Sequence, residues 1–244
     1  MSITGRKFID FLRYNIPFLA GSTSAPIHKS IYWDAIYKDS ALLGTVESDR
    51  NFEWGIKPDS LISELSNPVG PTLILGAGTS LLGQEGLVRG LKPIIQCDFS
   101  SEIVRKRENE DIPFRWADAT KEDSLKVLAD SLKTKKFSNI IDKGLIDGLY
   151  LGGEPGSLKI SSVISSCFSV LEPKIGVLAF CSFSPPKYIL PYLGKGVEDR
   201  WRIGCREIGE PGIYFYEMKI KEEKGRMTKR ERHEDRVGRR RGRK

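Results

Sequence analysis

Long apolar runs, paired cysteines and centrally placed histidines are all missing from this chain, and each absence removes a class of function. No stretch reaches the roughly 18 consecutive apolar residues of a membrane-crossing helix, so no membrane partner is expected. The four cysteines, Cys97, Cys167, Cys181 and Cys205, lie far apart and make no C-x-x-C pair, which argues against structural zinc, a redox motif or a disulfide framework. Cys97 and Cys181 fall in apolar strand-like runs, where a thiol behaves as a small apolar side chain. The two histidines, His28 and His233, lie in the lead-in and the tail, and neither is assigned to catalysis.

Surplus charge is also missing from most of the chain. Residues 225–244 hold ten Lys or Arg against three acidic residues, which accounts for the whole net charge of +7 and leaves residues 1–224 neutral. That basic tail has no apolar periodicity to offset its ordering entropy and reads as disordered. Its functional readings are a nucleic-acid contact, a nuclear address or attraction to an acidic partner; the alternative is a solubilising extension. At the other end, residues 1–30 form a lead-in in which Arg6, Lys7 and Arg13 meet only Asp10 among spaced apolar residues, followed by a Ser/Thr/Gly/Ala patch. This resembles a mitochondrial transit segment, and a mitochondrial location is expected, with the cytoplasm or nucleus as the alternative. The competing reading is an N-terminal helix packed on the domain.

Between these ends, residues 31–224 read as one domain. Apolar spacing in IYWDAIYKDS and after Pro58 predicts two short helices ahead of the first strand. Strand and helix patterns then alternate: PTLILGAG, SLLGQEGLVRG, KPIIQCDFS, a helix through Ile103 and Val104, a short strand at 113–116, KEDSLKVLADSLKT, FSNIIDKG, SLKISSVISSCFSVLE and IGVLAFCSF. Continuous apolar strands in such an alternation imply a parallel sheet covered on both faces. WRIGCREIG and GIYFYEMKI, joined by a Glu-Pro-Gly turn, close the domain as an antiparallel hairpin.

The strongest local feature is LILGAGTS, where a buried strand runs into Gly76 and Gly78 and then a helix, so that the backbone can approach a ligand closely. Position 81 is Leu, so the third glycine of a dinucleotide fingerprint is absent and the case for a pyrophosphate weakens. Asp98 ends the next strand, twenty residues after Gly78, where a carboxylate can accept from both hydroxyls of a ribose; taken singly it would also serve as a helix cap. Asp118 and Ala119 follow the third strand, placed to meet an adenine amino group and a ring nitrogen. Asp142 ends the fourth strand and faces the same crevice. Three acids at successive strand ends define an adenosine-type cofactor site at the carboxyl edge of the sheet. The expected fold is α/β, the Rossmann-like class I methyltransferase layout, with a mostly parallel seven-stranded sheet and a C-terminal antiparallel hairpin.

From Tyr32 to Ile220 the chain resembles the protein-lysine methyltransferases that carry an Asp-Lys-Gly motif after the fourth strand, a group acting on translation elongation factor 1A and on citrate synthase. The shared features are YWDAIY, FEW, LGAGTS, CDFS, ADA and DKGLIDGL. LLGTV, GTSLL, ILPYLGKG and REIGEPGIYFYEMKI most resemble the branch acting on citrate synthase. The resemblance implies S-adenosylmethionine as cofactor and a protein substrate, citrate synthase first and elongation factor 1A as the alternative; the basic tail keeps an RNA-associated methyltransferase as a further alternative. It also implies that Trp33 and Tyr37 close over the cofactor, with Gly76, Asp98, Phe99, Asp118, Ala119 and Lys143 in contact. An aromatic face suits a sulfonium for the reason it suits an ammonium ion. Core packing is the other reading of Trp33, Tyr37 and Trp54, and an exposed turn position that of Lys143. Methyl transfer needs alignment and exclusion of water rather than a metal. Asp142 is the expected acceptor-side residue, orienting a lysine ammonium and helping its proton leave. Asp147, five residues later, is expected on a helix surface, the other reading being a place near the same mouth.

Overall fold

The computed structural model describes residues 28–38, 53–66, 68–131, 135–194, 197–209 and 211–222. The transit reading of the lead-in before residue 28 and every reading of the 225–244 tail lie outside these described residues.

Two short helices, α1 (Ser30–Lys38) and α2 (Pro58–Ser63), precede the sheet. The alternation then runs β1 (Thr72–Leu75), α3 (Leu82–Val88), β2 (Ile94–Asp98), α4 (Ser101–Arg107), β3 (Phe114–Trp116), α5 (Glu122–Ser131) and β4 (Asn139–Asp142). It continues through α6 (Leu145–Leu151), a single turn at Glu154–Ser157, α7 (Ile160–Val170), β5 (Val177–Ser182), β6 (Trp201–Glu207) and β7 (Tyr214–Ile220). The seven strands take the order β3-β2-β1-β4-β5-β7-β6, with β1 to β5 parallel and β7 antiparallel to both β5 and β6. The chain leaves β1 toward β2 and β3 on one side and later crosses to β4 and β5 on the other, so a crevice opens at the carboxyl ends of β1 and β4.

The residues of β1, β2, β4 and β5 are buried on both faces because helices cover both. Leu73, Leu75, Ile140, Leu178 and Phe180 pack with Leu125, Leu128, Val163 and Cys167 of α5 and α7. On the opposite face Ile74, Ile94, Ile141, Ala179 and Cys181 pack with Tyr32, Leu61, Ile62, Leu82 and Ile103 from α1 to α4. The two helices ahead of β1 thus belong to the second layer. The terminal hairpin is locked to β5 by Phe180 and Tyr216, stacked with centroids 4.5 Å apart.

The alternation of strand and helix patterns gave no bounds for α6 or for the single turn after it. Helix α6 is also where the position of Asp147 requires correction, because that side chain is 2 % exposed and lies in the interior rather than on a helix surface.

Candidate cofactor and acceptor site

The loop after β1 needs both of its glycines. Gly76 and Gly78 have φ of 53° and 48°, in the left-handed region that favours glycine. A Cβ on Gly76 would stand 3.0 Å from Leu145 Cβ, and one on Gly78 would stand 2.7 Å from the Tyr37 hydroxyl. The loop is held from the neighbouring strand by Asp98, whose Oδ2 accepts from Gly78 N at 3.0 Å while Oδ1 accepts from Ser100 N at 2.9 Å. Burial raises the Asp98 carboxyl to about 6, against the amides of Ser100 and Gly78 that pull it down.

A second support has no counterpart in the sequence reading. Arg107, buried at the end of α4, donates from Nη1 to Gly78 O at 2.6 Å and to Ser80 O at 3.3 Å, and pairs with Glu110 at 2.7 Å. It satisfies the carbonyls that the turned loop leaves without helical partners. Nothing in the charged run 105–111 singles it out.

Helix α1 lies beside this loop. Asp34 Oδ1 accepts from Ser100 Oγ at 2.6 Å, and Lys106 Nζ donates to the Tyr37 carbonyl. Trp33 stacks on Tyr37 with centroids 5.9 Å apart. The structure therefore brings Trp33, Tyr37, Gly76, Gly78 and Asp98 together. Phe99 is half-buried next to them, and its carbonyl accepts from Trp116 Nε1 at 2.9 Å. At the adjoining strand end, Asp118 Oδ1 accepts from Thr120 N at 2.9 Å and Oγ1 at 2.6 Å, with Ala119 buried behind it.

The Asp-Lys-Gly turn after β4 is a structural joint. Asp142 Oδ1 accepts from Gly144 N at 2.8 Å and Leu145 N at 2.6 Å, and Oδ2 from Ile146 N at 2.9 Å, so it satisfies the free amides at the start of α6. The side chain has no exposed surface, and burial raises it to about 6 against those three amides. Three of its lone-pair sites are thus taken by backbone amides, and the side chain is shut off from solvent. The bonds shown are those of a residue that positions the start of α6, a role the expectation of an acceptor-side residue did not include.

Lys143 is not on an exposed turn either. Its Nζ donates to the carbonyls of Trp54 at 3.0 Å and Ile56 at 3.1 Å and pairs with Glu53 Oε2 at 2.5 Å. Burial lowers its pKa, opposed by the Glu53 charge. Glu53 in turn accepts from Ser80 Oγ at 2.7 Å and Leu81 N at 2.8 Å. A buried ion pair thus ties FEW, the glycine loop and the Asp-Lys-Gly turn into one unit. Gly144 completes it: a Cβ there would lie 3.0 Å from Trp54 Cγ, so a side chain at this position would push the indole back from the turn. Trp54 Nε1 reaches Asp147 Oδ2 at 3.0 Å.

Among the described residues no group of His, Cys, Asp or Glu is arranged to hold a metal ion. The cavity lined by Leu87, Ile94, Ile112 and Pro113 lies at the amino ends of β2 and β3, the edge away from these residues.

No protein-family model matches the chain. The EEF1A lysine methyltransferase 4 of Mus musculus is 27% identical over 54% of this chain and 49% of its own length. That of Bos taurus is 26% identical over 63% of this chain and 61% of its own. The chain thus spans about half to three fifths of these curated relatives. Among solved structures, a TehB-like SAM-dependent methyltransferase from Corynebacterium glutamicum superimposes with a TM-score of 0.53 at 12% identity, covering 77% of this chain and 99% of that one. With the strand order and the terminal hairpin, this likeness shows that the chain has the α/β, Rossmann-like fold of the class I methyltransferases.

Proposed function

We propose that this chain is an S-adenosylmethionine-dependent protein-lysine N-methyltransferase. The observation that carries the reading is the convergence of the glycine loop, Asp98 and Asp118 on the carboxyl edge of β1 to β3, in a chain whose curated relatives are named as lysine methyltransferases.

The residues fit such a cofactor. Each carboxylate oxygen of Asp98 accepts one amide bond and keeps a further lone pair, so the side chain can also take the two hydroxyls of a ribose. Asp118 and Ala119 would hold the adenine, and Gly76 and Gly78 would pass beneath the remainder, with Trp33 and Tyr37 closing from α1. When bound, S-adenosylmethionine supplies a methyl group on a positively charged sulfur.

The chain's own contribution is alignment. Asp142 fixes the first turn of α6, and Lys143 with Glu53 fixes Trp54 above it, so the β4 side of the crevice is rigid before any acceptor arrives. A lysine nitrogen must shed its proton before it attacks, and on this reading Asp142, buried and turned to three backbone amides, is not the group that takes it. The rate should therefore rise with pH as the acceptor amine becomes neutral, a profile that single-turnover assays across pH 7 to 10 would read.

The names of the relatives favour EEF1A as the protein substrate, whereas LLGTV and ILPYLGKG favour citrate synthase. Incubation of each protein with labelled S-adenosylmethionine separates the two, and failure to label a lysine on either would count against the reading. A mitochondrial location remains part of the proposal through the lead-in alone, and expression of the full chain with a C-terminal fluorescent fusion tests it.

A further inference from the structure

Asp147 is a buried carboxylate that the proposed chemistry does not use. Its oxygens accept from Ser182 Oγ at 2.5 Å, Trp54 Nε1 at 3.0 Å and Phe183 N at 3.1 Å. Removing a carboxylate from water is costly unless donors satisfy it, and here all three donors come from two segments, 53–56 and the end of β5. Two of the donors belong to residues whose rings meet, Trp54 and Phe183, with centroids 6.3 Å apart. Both side chains are half-buried. Trp54 rests on Gly144 immediately after β4, and Phe183 follows the last residue of β5. They therefore line the β4–β5 half of the crevice, whereas Asp98 and Asp118 occupy the β2–β3 half.

We infer that Trp54 and Phe183 form an aromatic corner that receives the alkylammonium side chain of the acceptor lysine, and that Asp147 is the positioning residue that holds the indole of Trp54 and the backbone of Phe183. The inference rests on the methyltransferase reading for the identity of the acceptor. Its physical basis is separate: an aromatic face attracts an ammonium ion, and an aliphatic stem packs on the same rings without a charge partner. The corner also offers no exposed carboxylate from Asp142 or Asp147, so it selects an amine by its rings and leaves the nitrogen free of a tight ion pair.

The test uses the full chain saturated with S-adenosylhomocysteine and the probe N-acetyl-lysine N-methylamide. The protein has four tryptophans, so its indole N–H resonances are few, and the one lost in Trp54→Phe is that of Trp54. The probe should move the Trp54 resonance and leave that of Trp201, buried in the far core, in place. Phe183→Leu should weaken probe binding by about two- to fivefold, the size of one exposed cation–π contact. Asp147→Leu should abolish the Trp54 shift, while Asp147→Asn, whose amide oxygen still accepts the indole N–H, should retain it. Affinity for S-adenosylhomocysteine should change by less than about twofold in the Phe183→Leu and Asp147→Asn proteins, because neither residue touches the loop.

A Trp54 resonance unmoved by saturating probe, or a shift that survives Asp147→Leu unchanged, would overturn the inference. Failure of the wild-type protein to bind S-adenosylhomocysteine would instead strike at the methyltransferase reading. The probe's effect on Trp54 would still decide the corner.

Discussion

Asp98 and Asp142 are both buried carboxylates raised to about 6, one holding the glycine loop and the other the start of α6. For each, the folded chain holds the proton more tightly than the ordinary value of 3.8 requires. The stability they contribute is therefore fully present at low pH and is lost as pH rises from 3.8 through about 6. Ligand binding runs the other way, since Asp98 must be ionised to accept from two ribose hydroxyls. Calorimetric titration with S-adenosylmethionine should show affinity climbing from pH 5 to a plateau above 7, and Asp98→Asn should be weak and nearly flat over that range. A wild-type affinity independent of pH would contradict the assignment. Lys143 makes a second prediction at this scale. Lys143→Met strands Glu53 beside the glycine loop and should cost about 3 kcal/mol in urea denaturation, the usual penalty for breaking a buried ion pair from one side. Glu53 and Lys143 lie 90 positions apart, and neither FEW nor DKG carries a mark of their pairing. That contact, like Arg107 under the loop, exists only once the fold is made.

The elements legible in the sequence were those whose pattern comes from burial on both sides. LILG, IIQCD, NIID and VLAFCS are continuous apolar runs because helices cover both faces, and β1, β2, β4 and β5 fall on them. Helix α6 was not legible. Its sequence follows Gly144 and carries Gly148 and Gly152, which hide its bounds, and its start depends on a cap, Asp142, that belongs to the preceding strand. Asp147 was expected on the outer face of a helix, and the structure turns it inward. The element that closes the sheet is tested by Phe180→Ala: Phe180 is fully buried and stacks on Tyr216, so its loss should cost about 3–5 kcal/mol and release the β6–β7 hairpin first. Hydrogen exchange should show the loss of protection concentrated at β7. Gly144→Val should act locally instead, displacing Trp54 and lowering turnover on the protein acceptor at least tenfold, with the S-adenosylhomocysteine affinity retained, as paired kinetic and calorimetric measurements would show.

At the scale of the whole molecule, the fold and the proposed cofactor half of the crevice follow from strands and strand-end acids that the sequence displays openly. The acceptor half was read less well, because its parts come from the 53–56 segment, the β4 turn and the end of β5 and meet only in three dimensions. The choice of acceptor is wider still, since the chain spans only part of the curated relatives it resembles. The basic tail adds an electrostatic element: deletion of residues 225–244 should weaken any salt-sensitive RNA binding and leave methyl transfer to protein intact, as filter binding and transfer assays on the truncated chain would show. The central claim is tested most directly by transfer of labelled methyl from S-adenosylmethionine to purified EEF1A and citrate synthase, side by side, with Asp98→Ala as control. The account predicts label on a lysine of one of them and its loss in the Asp98→Ala protein; no label on either, or label that survives Asp98→Ala, would contradict it.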